Sequence, residues 1–91
     1  MLLCMCDAKF TGETEVRYAL APPLGEVRRC VLLVRDEAVS VPEVMKGLGW
    51  ETVAVASRPI AAEDFDAPEM QPFRQHYDAA LKDGHSLVWY S

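Results

Sequence analysis

The sequence is poor in the features that mark several large functional classes. It has nine Lys and Arg residues against fourteen Asp and Glu, which gives a formal charge of −5. Phosphate contacts need clustered basic side chains, so we expect no nucleic-acid partner. No apolar stretch approaches the roughly 18 residues that a membrane-spanning helix needs. The composition therefore predicts neither nucleic acid nor a membrane as a partner.

Cysteine is also scarce, and its spacing is uninformative about disulfides. The three cysteines are an odd number and form no Cys-x-x-Cys motif, unlike the disulfide framework of a small secreted protein. No basic segment precedes Met1, and the first apolar run ends at Asp7, so no signal peptide is predicted. We therefore expect a cytoplasmic protein with reduced thiols.

The chain shows no convergent catalytic set. Gly47 and Gly49 precede a predicted strand, whereas a phosphate-binding turn needs a helix after its glycines. His76 and His85 could in principle act as general bases, but no nucleophile elbow or oxyanion loop accompanies them. A non-enzymatic protein without a cofactor is the expectation.

The residue pattern that is present predicts one α+β domain over residues 1–91. The composition, 51% hydrophobic and 25% charged, is that of a globular protein. Apolar runs and alternation predict strands at 1–10, 14–20, 27–35, 50–58 and 85–90. A short helix follows Ser40, and a longer one runs from Asp66 to about Asp83. The order β-β-β-α-β-α-β predicts a mostly antiparallel mixed sheet, including a parallel crossover over residues 27–58, with two helices packed on one face.

A homodimer is one alternative for the function of this domain. A chain of this size buries only about 64% of its unfolded surface, so self-association would add stability. Trp89 and Tyr90 are adjacent in the last predicted strand and therefore point to opposite faces. If that strand lies at a sheet edge, an exposed ring and unpaired backbone groups could support a structural homodimer.

The acidic segment, residues 63–69, is the most distinctive local feature. Residues 51–91 hold seven acidic and three basic residues, which accounts for −4 of the total charge of −5. Acidic side chains favour helix starts, so a solvated loop and helix cap is the plainest explanation. The main functional hypothesis is a protein-binding module, such as an inhibitor, adaptor or immunity-type protein, that meets a basic partner surface. Its predicted contact residues, with Phe65 as an aromatic anchor, are Glu63, Asp64, Phe65, Asp66 and Glu69.

The cysteines give a further alternative, a small-ligand, thiol or metal-binding domain. Cys4 and Cys6 are two apart in a predicted strand and share a face. Cys30 on a neighbouring strand could join them, and His76 or His85 could complete a zinc site. Free cysteine is also among the most buried residue types, so simple packing in the core is the competing explanation.

Overall fold

The computed structural model describes residues 1–89. The strands are β1 (Leu2–Phe10), β2 (Val27–Val34), β3 (Trp50–Pro59) and β4 (His85–Trp89). Helix α1 spans Val41–Gly47 and helix α2 spans Arg74–Asp83. Two 3-10 helices, Ala62–Asp66 and Pro68–Phe73, lie between β3 and α2. Within the described part of the chain, no helix has the length and apolar character needed to cross a membrane.

The four strands form one sheet in the order β3-β1-β2-β4, and each neighbouring pair is antiparallel. The predicted α+β class is therefore confirmed. The predicted parallel crossover is not a neighbouring pair, because β1 lies between β2 and β3. The continuous apolar run of β2 is buried on both sides, as its sequence predicts for a central strand.

The two helices pack on opposite faces of the sheet, so the prediction of one shared face is wrong. The α1 face carries Cys4, Cys6 and Cys30, which pack with Met45 of α1. The α2 face carries Leu3, Val31 and Leu33, which pack with Ala80 of α2. Residues of β1 and β2 alternate between these faces. Because both faces of these central strands are apolar, each face needs its own cover.

The predicted strand at 14–20 is absent from the structure, where residues 11–26 form a loop without strand assignment. Both sides of β1 are already occupied, by β2 and β3. The alternating pattern also fails to bury its apolar side chains, since Val16 is 44% and Leu20 86% exposed. Tyr18 is the exception, because its ring packs edge-on against Phe10 and Trp89.

The predicted long helix from Asp66 is divided. Its first part is 3-10 helix through Phe73, and α-helix begins only at Arg74. Pro72 lies inside the 3-10 part, and a proline has no N–H for an α-helical hydrogen bond. Gly84 ends α2 with a φ of 95°, the left-handed conformation that favours glycine at this position.

Strand β3 carries a bulge that changes which residues share a face. Asp7 pairs with Ala54, but Ala8 pairs with Thr52, so Val53 is an extra residue in β3. A bulge of this kind shifts the alternation by one position. Thr52 consequently lies on the same face as Val55, contrary to the simple alternation expected from the sequence.

Candidate functional site

The acidic segment is held against the α2 face by one buried ring. Phe65 is 1% exposed, and its ring centroid lies 4.8 Å from that of Tyr77 on α2. Ile60 and Leu33 belong to the same buried cluster. The prediction that Phe65 is an exposed aromatic anchor is therefore wrong. Burial of an apolar ring away from water is favourable, and the buried Phe65 ring holds the segment against the sheet.

The four acidic residues of the segment are all exposed, but they differ in their local contacts. Asp64 Oδ2 accepts a hydrogen bond from the Ala61 N–H at 2.8 Å. Asp66 Oδ1 lies 3.3 Å from Arg74 Nη1. Within residues 1–89, Glu63 and Glu69 take part in no ion pair. Two carboxylates thus support the local fold, and two point to solvent without a charged partner.

The three cysteines lie together in the core under α1. Cys6 is directly opposite Cys30 in the β1–β2 pair, Cys4 is two positions along β1, and all three are free and buried. Burial, with added repulsion from neighbouring thiols and Asp7, raises the pKa of Cys6 to about 12. Burial followed by Asp7 raises the pKa of Cys30 to about 11, and burial also raises the pKa of Cys4. These thiols stay protonated near neutral pH, which is the inert state of a structural cysteine.

The two histidines are not brought to the thiols. His76 is on α2, on the other side of the sheet, and its Nδ1 lies 3.1 Å from Ser86 Oγ. His85 pairs with Val34, whereas Cys30 pairs with Trp89, four residues further along β4 and about 13 Å away at strand spacing. Among residues 1–89, no group of three or more His, Cys, Asp or Glu side chains could hold a metal ion. The predicted zinc site is not formed by these residues.

A surface depression of about 400 Å³ lies between α1 and the start of β3. Glu13, Glu43, Lys46 and Glu51 are among the residues that line it. Thr52 lines it too, and its Oγ1 is buried with no hydrogen-bond partner among residues 1–89. Acidic residues outnumber the one lysine in this lining, which disfavours an anionic ligand by charge repulsion.

The outer edge of β3 is a further exposed surface of the domain. Every residue from Val53 to Pro59 is exposed, and the side chains of Val53 and Val55 are 64% and 44% exposed. The predictive signal was Pro59, since proline is confined to edge strands, strand ends or bulges. The prediction for Trp89 and β4 is met in part: β4 is the other edge strand, but Trp89 packs with the α1 face. Tyr90 lies outside the described residues.

Comparison with known proteins gives no family for this chain. Neither a protein-family model, nor a curated protein, nor a solved structure matches it. Function is therefore argued from the surfaces of the domain alone.

Proposed function

We propose that this protein is a non-enzymatic protein-binding module that meets a basic partner through Glu63, Asp64, Asp66 and Glu69. One observation carries the proposal: these four exposed acidic residues lie on two successive 3-10 helices that buried Phe65 anchors to the sheet. A charged surface on an anchored support needs less ordering when a partner binds than the same charges on a free loop.

The chemistry of the segment supports charge recognition over other kinds of binding. The segment has four carboxylates and no basic residue between positions 63 and 69. Clustered charge of one sign accelerates the encounter with an oppositely charged surface and disfavours partners of like charge. An inhibitor, adaptor or immunity-type protein uses this mode of recognition. We expect the partner in the cytoplasm, where the thiols of this chain stay reduced.

The test is capture of the partner from a lysate of the cells that make this protein. The double variant Glu63→Lys/Glu69→Lys removes the two carboxylates that have no role in a cap or ion pair. Its control is Glu13→Lys/Glu15→Lys, which makes the same change in net charge at exposed positions of the 11–26 loop. Circular dichroism checks that both variants fold.

We expect the first variant to recover the partner at least about tenfold less efficiently, because attraction becomes repulsion at two positions. The control variant should recover the partner as the parent does. Equal recovery by all three proteins, or equal loss in both variants, would show that the acidic segment is not the binding surface.

A further inference from the structure

The backbone of β3 presents a free edge for a further strand. The Ile60 N–H donates to the Met1 carbonyl at 2.9 Å, so Ile60 points its backbone groups towards β1. Alternate residues of a strand point these groups to opposite sides, so those of Val55, Ser57 and Pro59 point away from the sheet. Pro59 has no N–H, but an N–H at this position would point away from β1, so the β1–β3 pairing loses no hydrogen bond. An antiparallel strand could therefore pair with β3 without disturbing the β1–β3 ladder.

The charges at the two ends of β3 are arranged symmetrically about Val55. In the register with β1, Arg58 lies opposite Leu3, Val55 opposite Cys6 and Glu51 opposite Lys9. Arg58 and Glu51 are therefore each three pairing positions from Val55, on opposite sides. Because the bulge shifts the alternation, both side chains belong to the α2 face. Without the extra residue Val53, they would lie on different faces.

This symmetry makes the edge complementary to itself. An antiparallel pair of identical strands about a two-fold axis places each residue opposite its mirror position. With the axis at Val55, Glu51 of each copy faces Arg58 of the other, which gives two opposite-charge pairs on one face. Thr52 faces Ser57, and Ala54 faces Ala56, so only small side chains lie between the central Val55 pair and the two charged pairs. The two Val55 residues exchange backbone hydrogen bonds across the axis.

Among residues 1–89, Arg58 has no charged partner and Glu51 has only a weak one. Arg58 is in no ion pair within residues 1–89, and Glu51 is 3.9 Å from the exposed Lys9. Val53 and Val55, which are largely exposed in one chain, would be partly covered by the second. The geometry points to a homodimer in which two copies pair antiparallel along β3, with Glu51 opposite Arg58, to form one eight-stranded sheet.

Charge reversal at the two ends of β3 tests this pairing in the full chain. Sedimentation equilibrium measures the oligomeric state of the parent, of Glu51→Arg, of Arg58→Glu, and of an equimolar mixture of these two variants. In each variant alone, like charges oppose one another twice in the dimer. In the mixture, opposite charges oppose one another at both ends. The controls, Glu13→Arg and Arg17→Glu, make the same charge changes on the exposed 11–26 loop.

We expect the parent and both controls to dimerise and each edge variant to dissociate with a dimer constant roughly tenfold to hundredfold weaker. The mixture should recover the parent's affinity as a heterodimer, which also shows that both variants are folded. A parent that stays monomeric at millimolar concentration overturns the proposal. Edge variants that dimerise like the parent, or a mixture that stays monomeric, overturn it as well.

Discussion

The two faces of the sheet are covered in different ways. On the α1 face, α1 and an aromatic cluster cover the thiols. The ring centroid of Trp50 lies 5.0 Å from that of Phe10 and 5.7 Å from that of Trp89. On the α2 face, the cover reaches only the end that carries Leu3 and Leu33. Met5, in the same strand, is 43% exposed. Beyond it the face carries the charged residues Asp7, Lys9 and Arg29.

This difference separates the more fully covered face from the face on which both proposed contact surfaces lie. The α1 face holds the larger buried cluster, and its thiols are buried. The α2 face carries what a partner could meet, namely the acidic segment and the side chains of Glu51 and Arg58. The end of this face that no helix covers carries ion pairs, such as that between Arg29 Nε and Asp7 Oδ1 at 3.5 Å. Exposed ion pairs of this kind add little stability.

Removing Trp50 should produce the largest loss of stability. Trp50 is 1% exposed and contacts two other rings of the α1 face. We expect Trp50→Ala to lower the free energy of unfolding by about 4 kcal/mol, from lost burial and the cavity left behind. Urea denaturation measures the effect. The matched control on the same strand is Val53→Ala, which is at a 64% exposed position and should change stability by no more than about 0.5 kcal/mol. Similar losses for both variants would contradict the described packing.

Phe65→Ala should have the next largest effect and should act on the α2 face alone. We expect a loss of about 3 kcal/mol together with faster hydrogen exchange in the two 3-10 helices. The amide of Asp64, which donates to the Ala61 carbonyl at 3.1 Å, is the reporter. The amide of Cys6 in the central strand is the control. Unchanged protection of Asp64 relative to Cys6 would show that Phe65 does not anchor the acidic segment.

The thiols should give the smallest effect, seen only at alkaline pH. Burial raises the pKa of Cys6 from the ordinary 9.0 to about 12, so the folded state keeps a proton that the unfolded state loses. The stabilising contribution is complete below pH 9 and falls as the pH rises towards 12, by at most about 1.4 kcal/mol per pH unit for each thiol.

Urea denaturation between pH 8 and 10 measures this dependence. We expect the parent to lose stability more steeply with pH than Cys6→Ala, because the two proteins differ only in this thiol. Parallel pH profiles for the two proteins would be evidence that Cys6 ionises as easily in the folded state as in the unfolded one.

Local sequence patterns predicted the elements that depend on neighbouring residues, and those whose pattern is typical of only one kind of structure. The apolar run of β2, the left-handed Gly84 and the short α1 are in their predicted places. The candidate residues Glu63 and Glu69 are exposed, as expected from the local run of acidic residues. Phe65 was misplaced because a single aromatic among acids has no local pattern that distinguishes an exposed anchor from a buried one.

The sequence by itself determined an acidic α+β domain with a central apolar strand and with negative charge concentrated after residue 50. It also offered burial in the core as one of two explanations for the cysteines. Only the tertiary structure decided that α1 and α2 cover opposite faces, that 14–20 is not a strand, and that Glu51 and Arg58 share a face. The first two depend on which strands are neighbours, and the third depends on one bulged residue, Val53. Strand neighbours are chosen by contacts between distant parts of the chain, which local periodicity does not contain.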